Sequence, residues 1–101
     1  MKGAQLMASN FQLFQYQNRD SLHLHMQGDF DGTSAYELIN ALKKQIKENL
    51  AVFIDTNDIN QIHAFGIDVF RNNLNMKVKN KINLMFIGKH KHSFPVKNER
   101  F

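Results

Sequence analysis

Hydrophobic and polar residues alternate along the first part of the chain in the manner of two β-strands. Residues 11–16 are rich in aromatic and apolar side chains, and residues 21–27 alternate strictly between the two classes. Asn18, Arg19 and Asp20 lie between these segments and favour a turn. The pattern therefore predicts an antiparallel hairpin. The two faces of its second strand carry Leu22, Leu24 and Met26 on one side and His23 and His25 on the other.

After Gly28 the hydrophobic spacing changes to that of an amphipathic helix. A helix is predicted over residues 34–49, where Ser34 and Glu37 have the spacing of a capping box. A second helix is predicted over residues 66–76. The apolar stripe of the first helix comprises Ala35, Leu38, Ile39, Leu42, Ile46 and Leu50. The inward positions of the second helix are Ile67, Phe70, Leu74 and Val78.

Two further strands complete the predicted fold. Residues 51–54 are apolar on both faces, as in a strand buried between two layers, and the polar residues 55–58 are expected to end it. Residues 82–87 form the last strand, which stops at Gly88. Strand-helix-strand crossovers are right-handed. The fold class is therefore α/β, a mixed, mostly parallel sheet of about four strands with both helices on one face and the first strand antiparallel at an edge.

The length and composition of the chain indicate one ordinary domain. Its 101 residues support a single domain over 1–101, with residues 1–9 and 96–101 expected to be loose ends. The absence of Cys excludes thiol catalysis, cysteine zinc sites and disulfides, and it favours a reducing, cytoplasmic compartment. No apolar run approaches the ~20 residues that a membrane-spanning helix needs. We therefore expect no membrane span.

The positive charge of the chain is concentrated near its end. Residues 77–101 contain seven of the thirteen basic residues and one of the nine acidic ones. Lysines at helix ends and sheet edges usually keep a small domain soluble. The alternative is a surface for nucleic acid or anionic lipid. The residues that would carry it are Lys77, Lys79, Lys81, Lys89, Lys91, Lys97 and Arg100.

The residues that could carry chemistry do not form a recognisable catalytic site. His23 with His25, and His90 with His92, are two residues apart, which on a strand would place both rings near a shared metal. Asp29, Asp31, Asp55 and Asp58 follow predicted strands, where ligands often bind, but no nucleophile and base accompany them at a recognisable spacing. Capping and turn roles are expected for these carboxylates. No enzyme activity, metal or other cofactor is predicted.

Two motifs precede the predicted helices, one before each helix. Gly28, Phe30 and Asp31 precede the first helix, and the residues from Asp55 to Gly66 lead from the buried strand into the second. This arrangement resembles the STAS family, the anti-sigma factor antagonist domains found also at the cytoplasmic ends of sulfate transporters. The matching positions of the second motif are Asp55, Ile59, Ile62 and Gly66. The resemblance extends over residues 11–88 and implies a protein-binding domain.

The sequence departs from the STAS pattern at the residue that regulates antagonists of that family. There the first Ser of an Asp-Ser-Ser-Gly-like tetrad is phosphorylated, whereas this chain has His63, Ala64, Phe65 and Gly66. Ala64 has no hydroxyl, so a phosphate cannot be attached at this position. The hydroxyls of Thr33 and Ser34 at the start of the other helix are the remaining candidates for modification.

The resemblance implies that the partner is a protein, namely an anti-sigma factor, a kinase or a transporter-type component. The expected contact residues are Asp29, Asp31, Thr33, Asp58, His63, Ala64, Phe65 and Gly66. Phe65 would anchor a partner if it is exposed and would belong to the core if it turns inward. Family members usually continue with another helix, whereas residues 89–101 are long enough for only about two or three helical turns, so an apolar strip of the sheet is expected to be uncovered. Such a strip is compatible with a homodimer.

Overall fold

The order of strands and helices agrees with the prediction. The computed structural model describes residues 10–44, 50–74 and 82–94. The elements are β1 (Gln12–Gln17), β2 (Ser21–Phe30), α1 (Gly32–Lys44), β3 (Leu50–Ile62), α2 (Ala64–Asn73), β4 (Ile82–Ile87) and a short 3₁₀ helix (Lys91–Ser93).

The four strands form one mixed sheet in the order β1-β2-β3-β4. β1 pairs with β2 antiparallel, whereas β2 with β3 and β3 with β4 pair in parallel. The parallel pairs require crossover connections, and α1 and α2 provide them. The predicted α/β fold class, with an antiparallel first strand at one edge, is confirmed.

One hydrophobic core lies between the sheet and the two helices. Leu22, Leu24 and Met26 of β2 are completely buried, as their alternation with His23 and His25 predicted. Burial of one such side chain stabilises the fold by roughly 1.5–3 kcal/mol. The buried side chains of both helices belong to the same core cluster as Leu22, Leu24 and Met26, so both helices pack on this face of the sheet. Their buried apolar side chains are Ala35, Leu38, Ile39, Ala41, Leu42, Val69 and Phe70.

Four predicted boundaries were wrong. β3 does not end before Asp55 but continues to Ile62, because its polar side chains find partners inside the fold. Thr56 is fully buried, and its hydroxyl donates to the Ile87 carbonyl oxygen at 2.8 Å. β2 likewise extends to Phe30, and each helix begins two residues earlier than predicted, at Gly32 and at Ala64.

The segment after Gly88 is fixed to the core by an aromatic residue. Phe94 is buried, and its ring stacks on Phe86 with 4.5 Å between centroids and meets the edge of Phe30 at 5.0 Å. Within the described residues, this side of the core is therefore covered by the 3₁₀ helix and the Phe94 ring.

Several predicted features lie outside the described residues. They are the expected loose ends, Ile46, Val78, the side chain of Leu50, and the basic residues Lys77, Lys79, Lys81, Lys97 and Arg100. Among the residues that the structure does describe, no helix is long and apolar enough to cross a membrane.

Candidate functional site

The start of α1 is held by the side chain of Asp31. Its Oδ1 atom accepts hydrogen bonds from the backbone N–H of Ser34 at 3.0 Å and from the Ser34 hydroxyl at 3.0 Å. The Asp31 carbonyl oxygen accepts from the N–H of Ala35 at 2.9 Å. Asp31 is therefore the N-cap, in line with the capping role expected for it. The predicted capping box of Ser34 and Glu37 was wrong, because Ser34 lies inside the first turn and is fully buried.

The start of α2 is held only by backbone atoms. His63 occupies the N-cap position with extended backbone angles, φ −92° and ψ 133°, and its side chain makes no capping hydrogen bond. Its carbonyl oxygen accepts from the N–H groups of Gly66 and Ile67, and its own N–H donates to the Phe30 carbonyl oxygen at 2.9 Å. The first turn of α2 contains no acidic residue. No acidic side chain in this turn therefore compensates the positive end of the α2 helix dipole.

The two helix starts are in direct contact. Gly66 is buried, and a Cβ atom at this position would lie 2.8 Å from the carbonyl carbon and oxygen of Asp31. A Cβ atom on Gly32 would lie 2.9 Å from the Phe65 ring. Glycine is therefore required where the backbones meet, and the missing side chain of Gly32 makes room for the aromatic ring.

Phe65 is the most exposed large hydrophobic residue among those described, with 70% of its surface accessible. One side of its ring lies against Gly32 and the rest faces solvent. Thr33, His63 and Ala64 beside it are also exposed. We call this patch the Phe65 surface; it comprises Asp31, Gly32, Thr33, His63, Ala64 and Phe65. The alternative left open by the sequence, a buried Phe65, is excluded by this exposure.

The structure brings six of the eight predicted contact residues together and separates two from them. Asp31, Thr33, His63, Ala64 and Phe65 belong to the Phe65 surface, and Gly66 lies buried beneath it. Asp29 instead faces Asn10 before β1: its N–H donates to Asn10 Oδ1 at 3.2 Å. Asp58 belongs to a different group of side chains, on β3.

That second group is centred on His25. The Nε2 atom of His25 lies 2.8 Å from Asp58 Oδ2, and its Nδ1 atom lies 3.3 Å from Asp55 Oδ2. A register shift in the pairing of β2 with β3 between His25 and Gln27 accompanies this arrangement. The sequence offered no signal for it, because the contact depends on the register of strands 30 residues apart. Asp58 also lines an open cleft of about 440 Å³ with Asn10, Gln12, Gln27, Gly28 and Asn60.

The remaining histidines have different surroundings. The ring of His23 stacks on Phe53 at 5.0 Å, and its Nε2 atom lies 3.4 Å from the Ser21 hydroxyl. His90 and His92 lie in a turn and in the 3₁₀ helix, so the strand spacing considered for this pair was wrong. In residues 10–44, 50–74 and 82–94, no group of three or more His, Asp or Glu side chains is placed to hold a metal ion.

Comparison with known proteins finds likeness in structure but not in sequence. No family model matches the chain, and no curated protein gives a significant match. Two crystal structures of Mglu superpose on it with TM-scores of 0.64 and 0.58, both at 15% sequence identity. They cover 77% and 83% of this chain, which spans only 20% and 25% of the length of theirs.

Two similar structures have a size closer to that of this chain. An anti-sigma factor antagonist from Mycobacterium paratuberculosis has a TM-score of 0.53 at 13% identity, over 84% of this chain and 83% of its own. An uncharacterised protein from Shewanella loihica with a SpoIIAA-like fold has a TM-score of 0.52 at 15% identity, over 82% of this chain and 75% of its own. At such identities the likeness concerns the fold alone. The chain has the STAS-like, or SpoIIAA-like, α/β fold that its two motifs predicted.

Proposed function

We propose that this chain is a non-enzymatic regulatory domain that binds another protein through the Phe65 surface, in the manner of an anti-sigma factor antagonist. The expected partner is an anti-sigma factor, a kinase or a transporter-type component, and the expected compartment is the cytoplasm. The observation that carries the proposal is the exposure of Phe65, 70% accessible at the junction of two helix starts. The STAS-like fold supports a regulatory role only by analogy, since one fold serves many functions.

The surroundings of Phe65 favour binding because the backbone that carries its ring is fixed by contacts between the two helix starts. Its backbone lies in the first turn of α2, and Gly66 next to it packs against the Asp31 backbone. Exposed aromatic rings on fixed backbone are typical anchors of protein interfaces, because they bury a large apolar area and lose little conformational entropy. A partner with an apolar pocket, rimmed by polar groups that meet Thr33 and His63, would fit this surface.

Phosphorylation at position 64 cannot regulate binding through the Phe65 surface. Ala64 is exposed at the first residue of α2 but has no hydroxyl. At the start of α1, Ser34 is fully buried and its hydroxyl lies 2.8 Å from the Asp29 carbonyl oxygen, so a kinase cannot reach it in the folded domain. We therefore infer that binding is not switched by phosphorylation at position 64, and that Thr33, which is exposed on the Phe65 surface, is the remaining candidate hydroxyl.

The test compares three forms of the domain as baits in an extract of the source cells: wild type, Phe65→Asp and Met85→Asp. Met85 is 43% exposed on the opposite, helix-free face of the sheet, so its substitution controls for loss of an exposed apolar side chain. Thermal unfolding monitored by circular dichroism checks that all three are folded. We expect a protein retained by wild type and Met85→Asp but not by Phe65→Asp.

The captured protein is then purified, and its affinity is measured by isothermal titration calorimetry. Loss of a central aromatic anchor is expected to raise the Kd at least about tenfold. Equal affinities for the Phe65→Asp and Met85→Asp variants would reject the Phe65 surface. The absence of any protein that distinguishes the baits would reject the binding role.

A further inference from the structure

The outer edge of the sheet at β1 has an unusual composition for an exposed strand. Its sequence, Gln-Leu-Phe-Gln-Tyr-Gln, contains no charged residue, Pro or Gly. Edge strands are normally protected from further pairing by charges, Pro, bulges or a covering element. Within the described parts of the chain, β1 pairs only with β2, and five of its six residues are exposed. Nothing in its composition opposes the addition of another strand.

The backbone groups that face this edge follow from the hairpin geometry. The Asn18 N–H donates to the Ser21 carbonyl oxygen at 2.9 Å, and the pairing of β1 with β2 contains no register shift. Backbone groups of alternate residues point to opposite sides of a strand. Those of Phe14 and Tyr16 therefore point toward β2, and those of Leu13, Gln15 and Gln17 point outward. Among the described residues, this outward set, centred on Gln15, has no backbone partner.

The aromatic side chains of β1 are only half covered by their own fold. Phe14 and Tyr16 are 50% and 65% exposed on the helix-free face of the sheet. Each has a ring neighbour on β2: the Phe14 ring lies 6.2 Å from that of His25, and the Tyr16 ring lies 6.1 Å from that of His23. On the outer side of β1 nothing described contacts them. A strand added there would cover the exposed part of both rings.

We propose that β1 pairs antiparallel with β1 of a second copy of this chain, giving a two-fold symmetric dimer with a continuous eight-stranded sheet. With the symmetry axis at Gln15, the outward backbone groups of the two strands match one another. Phe14 of each copy then lies opposite Tyr16 of the other as a non-hydrogen-bonded pair, in which cross-strand side chains are closest. In this register the outward backbone groups are matched and both aromatic residues of each copy have a cross-strand aromatic partner.

The other edge strand, β4, also contains no charged residue, Pro or Gly, but it lacks the exposed aromatic pair of β1. Its single aromatic residue, Phe86, packs on Phe70 and Phe94 and so offers no counterpart to Phe14 and Tyr16. Pairing of β1 with β4 of another copy would also be head-to-tail and would produce open-ended polymers. Pairing of β1 with itself closes after two copies. The contact is small, so we expect a reversible dimer that forms as concentration rises.

The first test is sedimentation equilibrium of the whole chain over a series of concentrations. Gln15→Lys places two positive charges directly opposite each other across the axis, and we expect it to raise the dimer dissociation constant at least about tenfold. Gln61→Lys makes the same chemical change at an exposed position near the end of β3, and it should dimerise like wild type. A monomeric wild type, growth into polymers, or equal behaviour of the two variants would overturn the proposal.

The second test uses the absence of native Cys to report the register. In the proposed dimer the two copies of residue 15 are directly opposite, with Cα atoms about 5.5 Å apart, a distance that a disulfide spans. Under mild oxidation Gln15→Cys should form a covalent dimer at least about tenfold faster than Gln12→Cys or Gln17→Cys, which lie off the axis. Equal rates for the three variants would overturn the register. Dimerisation should survive Phe65→Asp, so this proposal and the proposed function fail independently.

Discussion

The two helices of this domain begin side by side but are stabilised in different ways. At the start of α1 the polar side chains serve the fold: Asp31 accepts hydrogen bonds from Ser34, and Ser34 is buried. At the start of α2 the His63 side chain makes no capping hydrogen bond, and Ala64 and Phe65 are exposed. Residues whose polar and apolar groups are left unused by the fold are those available to a partner. If the proposed function is correct, the start of α2 is therefore expected to supply most of the binding contacts.

The contact between the two helix starts offers the largest expected effect. Gly66→Ala puts a methyl group 2.8 Å from backbone atoms of Asp31, which cannot move independently of α1. We expect a loss of roughly 1–3 kcal/mol in the free energy of unfolding, as in other overpacked sites. Urea denaturation monitored by circular dichroism measures it.

Gly32→Ala is the matched control for this substitution. Its methyl group would also be close, at 2.9 Å, but to the exposed ring of Phe65, which can rotate away. We expect a change within about 0.5 kcal/mol. Similar losses for the two variants would show that the helix starts are not joined through Gly66 in the way described.

The cap of α1 offers the next largest effect. Asp31→Ala removes the acceptor for the backbone N–H and the hydroxyl of Ser34. Loss of an N-cap of this kind costs about 0.5–2 kcal/mol, whereas Asp31→Asn retains an acceptor and should cost much less. Chemical denaturation of the three proteins distinguishes them. If the Asn variant loses as much as the Ala variant, the charge of Asp31 and not its hydrogen bonds stabilises α1.

The cap of α2 should respond in the opposite direction. His63 has N-cap backbone geometry but contributes no capping side chain, so His63→Asp adds an acceptor and a favourable charge at the amino end of the helix. We expect a gain of about 1 kcal/mol in the free energy of unfolding. His63→Ala removes no cap and should change the stability by less than about 0.5 kcal/mol. A loss of stability in both variants would mean that the His63 ring stabilises the fold.

The sequence was sufficient for the layout of the fold because side-chain periodicity is a local property. The alternation of Leu22, Leu24 and Met26 with His23 and His25 correctly predicted which face of β2 is buried. The same information could not decide between Asp31 and Ser34 as the cap of α1, because both are capping residues three positions apart. The decision is made from outside the segment: β2 continues to Phe30, whose carbonyl oxygen accepts from the His63 N–H, so Asp31 directly follows the strand.

The parts of the site that the sequence did not predict depend on non-local contacts. Asp55 and Asp58 looked like the end of a strand, yet both stay within β3 because His25 of β2 lies beside them. The exposure of Phe65 was open in the sequence, since an aromatic residue in a first turn can point either way. In the structure its ring lies over Gly32, a residue on the other helix. Contacts of this kind depend on how strands and helices are placed relative to one another, and the local residue pattern does not specify that placement.

The smallest expected effect on stability comes from Ala64→Glu, and it separates folding from binding most clearly. A negative charge in the first turn of α2, which has none, should increase the free energy of unfolding by about 0.3–1 kcal/mol. If the Phe65 surface binds the partner, the same charge beside the exposed ring must be desolvated in the complex, and affinity should fall although the domain is more stable. Ala64→Gln has a side chain of the same size without the charge and is the control; calorimetric titration with the captured partner compares the two. A variant that gains stability and binds like wild type would show that position 64 lies outside the interface.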